Sequence, residues 1–244
     1  MNRELNNAIR WVLENFLPAM IRDRKWFINP LMRLYFGRNW RTYAHFKADA
    51  VKMTSEDFAR VYAGIKLPSA MRRPTDSNEA CVRQILADVR PYQSVLDAGC
   101  GRGFLVGQIA QVVPHVAGAD IFLQPGLAAK YPQVRFEQAD VGALPFADKS
   151  FDAVVSTHTL EHVRDLDLAM AELRRVARHL VIVVVPRERP YRETLNLHLH
   201  FFPYVESFPI AIKAGPRDFD CFELGGDIYY RERLPVQGGS AQEP

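Results

Sequence analysis

The sequence predicts an α/β protein built on a doubly wound, mostly parallel sheet, with an antiparallel hairpin at its end and a helical cap before it. Three observations carry this expectation. From Ser94 onward, short apolar stretches alternate with helical ones, the rhythm of βαβ units. The stretch from Leu180 to Val185 is apolar at all six positions, as suits a central strand covered on both faces. The preceding 75 residues instead repeat their apolar positions at helical spacing. With 244 residues, 48% hydrophobic and 24% charged, the chain has material for one large core, or a core with a cap. That composition excludes disordered, collagenous and coiled-coil chains.

The leader comes first. Leu5, Ile9, Val12, Leu13, Phe16, Leu17 and Met20 form a helical stripe that Pro18 kinks or ends. A second apolar stretch runs from Trp26 to Phe36, interrupted by Pro30 and closed by Gly37. Thr54-Ser-Glu-Asp57 has the layout of a capping box for a helix ending near Gly64, and Asp76-Ser-Asn-Glu79 repeats it before the Cys81, Ile85, Val89 stripe. Strands are expected at 94–98, 115–119, 134–138, 151–156 and 180–185, with helices at 104–112, 126–130 and 166–178. Residues 218–224 and 227–231, split by Gly225-Gly226, read as a hairpin. The expected domains are a leader or cap over 1–75, the sheet domain over 76–234 and a disordered tail over 235–244.

Charge divides along the same line. Residues 1–75 carry 14 Lys/Arg against 6 Asp/Glu, a net of +8, which leaves −5 on residues 76–244. Cys81, Cys100 and Cys221 are too few and scattered for a disulfide framework or a zinc cluster, which suits a reducing, cytoplasmic setting. The first residues lack the layout of a cleavable signal, and no apolar run approaches a membrane span.

The chemistry concentrates where the first strand ends. Val95-Leu-Asp-Ala-Gly-Cys-Gly-Arg-Gly103 places Asp97 at a buried strand end, followed by glycines that admit a close ligand and by a helix N-terminus with unsatisfied amides. The spacing is GxGxG, with Phe104 after Gly103, so neither the dinucleotide fingerprint nor a phosphate-cradling loop is met. Ala119-Asp120-Ile121 and Gln138-Ala-Asp140-Val141 put acids at the ends of the next two strands, where open α/β sheets bind ligands. Leu144-Pro-Phe and the stretch from Phe151 through Ser156-Thr-His-Thr-Leu-Glu-His162 follow.

Over about 70 residues, from Ser94 to Val163, these four motifs resemble the class I, Rossmann-like, S-adenosylmethionine-dependent methyltransferases. The last of them resembles the branch that methylates small molecules, quinones and sugars. The resemblance implies S-adenosyl-L-methionine as cofactor. Asp97 and the backbone of Ala98, Gly99, Cys100, Gly101 and Gly103 would hold its methionine end. Asp120 would accept from both ribose hydroxyls, and Ile121 would pack on the adenine. Asp140 would accept from the adenine amino group, with Val141 contributing its amide. The strand end at Ser156, Thr157 and His158 would lie beside the methionine part. One departure is the stretch after Asp120, where Pro125 cuts the next helix to about one turn and opens that flank. The leader resembles those of methyltransferases found among bacterial cell-surface polysaccharide and lipid enzymes.

The sulfonium of such a cofactor already activates the methyl group, so the expected work is alignment for in-line displacement, with a general base for a hydroxyl acceptor. His162 ranks first for that role, with His158 beside it and a helix-entry cap as its plain alternative. His198 and His200 invite a metal reading, but two ligands do not make a site, and no metal is expected. Phe201, Phe202, Tyr204 and Phe208 suit an acceptor wall or ordinary core packing. Arg72 and Arg73 are placed to reach the cofactor's carboxylate. The expected partner is a small-molecule, glycan or glycolipid acceptor. Trp11, Trp26, Phe27, Tyr35, Phe36 and Trp40 among arginines and lysines suit either a pocket cover or contact with an anionic membrane surface. An RNA methyltransferase or binder would use the +8 leader, but the acidic body and the lack of an Asn-Pro-Pro-Tyr-type motif argue against it. A non-catalytic cofactor-binding module is the remaining alternative.

Overall fold

A computed structural model describes residues 16, 18–22, 24–37, 40–64, 75–190 and 197–235. The first leader stripe before Phe16, Trp11, Arg72, Arg73 and the tail beyond Pro235 lie outside the described residues. Seven strands form one sheet: β1 Ser94–Ala98, β2 His115–Asp120, β3 Val134–Gln138, β4 Phe151–Thr157, β5 Ala177–Pro186, β6 Asp218–Leu224 and β7 Asp227–Arg233. Their order is β3-β2-β1-β4-β5-β7-β6. The first five are parallel and β7 runs antiparallel to β5. This is the Rossmann-like, mostly parallel sheet with an antiparallel end that the sequence predicts. The chain winds one way from β1 to β3 and the other way from β4, so the β1/β4 boundary is the switch point where such sheets open a crevice.

β5 shows why the sheet sits where it does. Val181, Val183 and Val185 enter one core with the Leu166–Val176 helix, while Leu180, Ile182 and Val184 enter the other with the Glu79–Val89 and Phe104–Ile109 helices. Period-two alternation with apolar residues on both sides requires helices on both faces. The Leu166–Val176 helix buries Leu166, Ala169, Met170, Leu173 and Val176 along one stripe, and Asp165 caps it by accepting from Leu168 N–H at 2.9 Å.

Several elements differ from expectation. The helix predicted over 166–178 stops at Val176, because Ala177 turns extended and starts β5 against Phe151. The helix predicted over 104–112 ends at Ile109, and the next residues close two turns back onto Ile109 O. Pro30 does not interrupt its helix, which runs Lys25–Phe36. Pro30 is exposed, so the carbonyl left without an N–H partner one turn earlier can meet water while Ile28 and Met32 stay buried. Gly37 closes that helix with φ +53°, as expected. The Thr54–Asp57 box forms: Thr54 N–H donates to Asp57 Oδ2 (2.8 Å) and Asp57 N–H donates to Thr54 Oγ1 (3.2 Å).

The second box does not form. Asn78, not Asp76, caps the Glu79–Val89 helix, accepting from Cys81 N–H at 2.9 Å. The same amide donates to Leu224 O and to Asp227 Oδ2, both at 2.9 Å, so the β6–β7 hairpin selects the cap. Gly225 and Gly226 make that turn with φ +63° and +93°, and a Cβ on Gly225 would lie 2.6 Å from the Asn78 side chain.

The Trp40–Ala50 and Ser55–Gly64 helices pack Tyr43, Phe46 and Phe58 in a third cluster with Ile28 and Met32; Leu197 joins it and Ile121 packs against it. Trp26, Leu34 and Met20 remain exposed, at 69, 86 and 72%. No helix among the described residues is long and apolar enough to cross a membrane.

Asn78→Ala removes the cap and takes a donor from Asp227 Oδ2 and from Leu224 O, the latter keeping only the weak Cys81 S–H donor. The expected cost is about 2 kcal/mol, summing a cap near 1 kcal/mol and one unpaired buried acceptor of similar size. Urea unfolding measures it; a loss under about 0.5 kcal/mol would show that the hairpin does not depend on this residue.

Candidate active site

The carboxyl ends of β1 to β4 open into a cleft of about 790 Å³. Asp97, Gly99, Cys100, Gly101, Asp120, Ile121, Asp140, Val141, Thr157 and His162 line it, from four separate stretches of sequence. Ala98 and Gly103 are not among the lining residues. Ala98 is buried in the sheet core. Gly103 (φ +75°) makes the turn into the Phe104–Ile109 helix, and a Cβ there would meet Leu127 Cδ2 at 2.6 Å.

The glycine loop is held by the end of β2. Gly99 and Cys100 N–H both donate to Ala119 O, at 2.7 and 3.0 Å. Gly101 N–H donates to Asp120 Oδ2 (2.8 Å), and Phe122 N–H donates to Asp120 Oδ1 (3.0 Å). Each Asp120 oxygen keeps acceptor capacity toward the cleft. Burial pushes the Asp120 carboxyl up, and the amides of Phe122, Gly101 and Ile121 pull it back. Gly99 (φ +85°) is required by close packing: a Cβ would lie 2.0 Å from Thr159 Oγ1. Gly101 (φ +50°) has open space where a Cβ would stand.

Asp97 is 1% exposed, and neither of its carboxylate oxygens has a hydrogen-bond partner among the described residues. Burial first, and then the charge of Asp120, push its carboxyl up to about 7. A buried carboxylate bordering a cleft is stabilised by a ligand that brings a donor or positive charge. Asp140 is more committed. Its Oδ1 accepts from Gly142 N–H (2.9 Å) and its Oδ2 from Ser55 Oγ (2.8 Å), so a leader hydroxyl already touches the proposed adenine acceptor. The helix after Asp120 is the single turn Leu127–Lys130 that Pro125 foretells.

The other end of the cleft is rich in histidine. His158 sits at the end of β4 with φ +49°, a conformation rare outside glycine and common at functional sites. Its ring lies between Glu161 Oε1 (3.5 Å from Nδ1) and Asp227 Oδ2 (3.4 Å from Nε2). Burial pushes the imidazole down, but these two carboxylates outweigh it and raise it to about 10, so it is a cation at neutral pH. His162 is the reverse case. Burial and the neighbouring His198 hold it down at about 4, so it is neutral. Its Nδ1 lies 3.0 Å from Leu197 O; a carbonyl only accepts, so Nδ1 carries the proton and Nε2 the lone pair.

His200 parts from His198, placing Nε2 2.8 Å from Val163 O. Phe202 and Phe208 are core residues, stacked edge-on at 5.2 Å and continued by Tyr230, while Tyr204 is exposed; none of the three lines the cleft. Of that run, Phe201 carries the Lys47 ammonium over its ring at 4.0 Å. Sequence reasoning missed Glu161, Phe122, Tyr43, Phe58 and Tyr62 as cleft residues. Glu161 stood inside a motif already read, next to His162. The leader aromatics carried only an i, i+4 spacing that core packing explains equally well.

The Asp97 carboxyl titrates near 7 when folded and near 3.9 when unfolded, so the native state binds the extra proton and stability falls as pH rises between those values. Asp97→Asn is expected to gain on the parent protein from about pH 4 to about pH 7 and to hold a constant advantage above. Thermal melts across that range check it; parallel pH profiles would contradict the assignment.

Comparison with known proteins agrees with this geometry. A family described as "Methyltransferase domain" matches residues 96–185. A demethylmenaquinone methyltransferase of Roseiflexus sp. (strain RS-1) is 34% identical over 133 residues, covering 52% of this chain and 56% of that protein. A malonyl-(acyl-carrier protein) O-methyltransferase of Erwinia billingiae is 36% identical over 89 residues, covering 36% of each. The match thus spans about half of the first relative and about a third of the second. Among solved structures, magnesium protoporphyrin IX methyltransferase from Synechocystis PCC 6803 with bound SAH superposes with a TM-score of 0.52 at 15% identity, covering 85% of this chain and 100% of that one. At that identity the likeness concerns the fold alone. Residues 96–185 thus match a methyltransferase domain, and the motifs at their strand ends are those of the class I S-adenosylmethionine-dependent methyltransferases.

Proposed function

We propose that the protein moves a methyl group from S-adenosyl-L-methionine to a hydroxyl of a small-molecule, glycan or glycolipid acceptor. The observation that carries this reading is the division of one cleft into an acidic end and a histidine end, joined by the end of β4. Asp97 and Asp120 keep unsatisfied acceptor capacity at the first. His158, Glu161, His162 and Tyr62 border the second.

The residues present fit the cofactor. Asp97 offers a bare buried carboxylate to an ammonium or sulfonium charge, and Asp120 offers one lone pair from each oxygen to a pair of hydroxyls. When bound, S-adenosylmethionine supplies a methyl group already activated by positive sulfur. The chain's own contribution is alignment and exclusion of water. Ile121 lies at the cofactor end and packs against the leader cluster, which closes one side. Neutral His162 can accept from an acceptor hydroxyl through Nε2 across the pH range above about 4, whereas cationic His158 cannot serve as a base. His162 is therefore our candidate base, as the sequence predicts, with Tyr62 packed edge-on against its ring at 5.9 Å. The glycolipid end of the acceptor range is supported by the exposed Trp26 and Leu34 beside Lys25 and Arg33, a pairing that suits an anionic lipid surface.

Calorimetry with S-adenosylmethionine is expected to show one site per chain. Asp120→Ala is expected to weaken it about 10- to 100-fold, since a hydrogen-bonded charge contributes about 1.5–3 kcal/mol. Asp218→Ala, at the exposed start of β6, should leave the affinity unchanged. No heat at millimolar cofactor, or equal affinity in Asp120→Ala, would contradict the reading. Separately, the protein should float with anionic vesicles at low salt; its staying in the soluble fraction would refute the membrane contact.

A further inference from the structure

Glu161, His162 and His198 stand together at the histidine end of the cleft, with one potential ligand atom from each lying within 4.8 Å of the other two. His162 Nε2 is 3.9 Å from Glu161 Oε1, and His198 Nε2 is 4.0 Å from the same oxygen. The two rings meet edge to face at 4.7 Å.

Each ring is oriented by its other nitrogen. His162 Nδ1–H is spent on Leu197 O, and His198 Nδ1 lies 2.7 Å from Glu188 Oε1, a buried carboxylate. An imidazole whose far nitrogen is held by a carbonyl or carboxylate is the usual arrangement behind a metal-ligating histidine, because it sets the tautomer and raises the basicity of the nitrogen that binds. The backbone fixes the spacing as well. Leu199 and His200 N–H both donate to the Glu161 carbonyl, at 2.7 and 3.0 Å, which pins the segment carrying His198 onto the turn carrying Glu161 and His162.

The Glu161 carboxylate is the second, independent observation. Its side chain is 1% exposed, and neither oxygen has a hydrogen-bond partner among the described residues; His158 Nδ1 stands 3.5 Å from Oε1. The His158 imidazolium gives it one long-range counter-charge shared with Asp227, which leaves lone pairs on the carboxylate for a further cation.

We propose that Glu161, His162 and His198 form a binding site for one divalent first-row transition-metal ion. Two imidazoles and one carboxylate are a borderline ligand set that suits zinc, manganese, iron(II) or cobalt(II) rather than calcium or magnesium. Ligand atoms about 2.0–2.2 Å from a metal stand roughly 3.0–3.6 Å apart, so the two Glu161 spacings need to close by about 1 Å or less and the His162–His198 spacing, within 4.8 Å, by at most about 1.8 Å. Three protein ligands leave at least one coordination position open to the cleft, where an acceptor oxygen would be held. This goes beyond the methyltransferase reading and does not depend on it, since the ion binds the apo protein; with the ion bound, His162 Nε2 is a ligand, and the base role given to it above belongs to the metal-free protein. It also revises the sequence-based weighing, which saw His198 and His200 as a pair and omitted Glu161.

The test is equilibrium dialysis of chelator-stripped, desalted protein against zinc or manganese(II) alone. The expected result is one equivalent per chain, with affinity reduced at least tenfold in Glu161→Gln and in His198→Asn. His115→Asn, on an exposed position at the opposite end of β2, should bind as the parent does. Thermal melts without metal establish that each variant folds. Cobalt(II) gives a second readout, visible absorption that should be lost in His198→Asn. Absence of stoichiometric binding by the parent protein, or retention of binding in both ligand variants, would overturn the proposal. S-adenosylmethionine affinity measured on the same preparations reports on the cofactor reading separately, so failure of one is not failure of the other.

Discussion

The site depends on the carboxylate of Asp120. At the end of β2 its two oxygens take the amides of Gly101 and Phe122, which fastens the glycine loop after β1 to the turn after β2. Without an acceptor at that point two amides would lose their partners, and of the loop's bonds to β2 the two to the Ala119 carbonyl would remain. Because a carboxylate oxygen can take more than one donor, the same group that shapes the loop retains capacity for a ligand. The sheet makes this arrangement attainable: five parallel strands end on one side, and the crevice at the β1/β4 switch gathers their polar ends.

Electrostatics then separates the two halves of the cleft. Burial raises the carboxyls of both Asp97 and Asp120, and the charge of Asp120 raises Asp97 further, a tension that a cationic ligand relieves. Glu161 behaves oppositely. Burial would raise it, but the His158 imidazolium beside it holds it down at about 2, so it is ionised. One end of the cleft thus has an excess of acceptors, and the other a balanced cluster of histidines around one buried anion. The leader bridges the two: Ser55 bonds Asp140 at the first, and Tyr62 packs on His162 at the second.

Much of this was legible in the sequence, for physical reasons. β1, β3 and β6 match their expected bounds, because each is a short strand closed by turn or loop residues on both sides. Asp97, Asp120 and Asp140 were legible because each sits where a strand must end. What local pattern did not carry was tertiary. The cap of the Glu79–Val89 helix moved to Asn78 because a hairpin almost 150 residues later supplies its partners. Phe202 and Phe208 went to the core because Tyr230 of β7 stands there to receive them. Glu161 gained its meaning only when His198 was brought back beside it by hydrogen bonds to its own carbonyl.

The central claim is that the acidic end of the cleft is a nucleoside and amino-acid site organised by Asp120 and Asp97. A crystal structure with S-adenosylhomocysteine tests it most directly. The account predicts both ribose hydroxyls on Asp120, the adenine against Ile121, and the amino-acid portion beside Asp97 and the Gly99–Gly101 turn. A ligand ordered elsewhere, with Asp120 bonded only to Gly101 and Phe122, would contradict it.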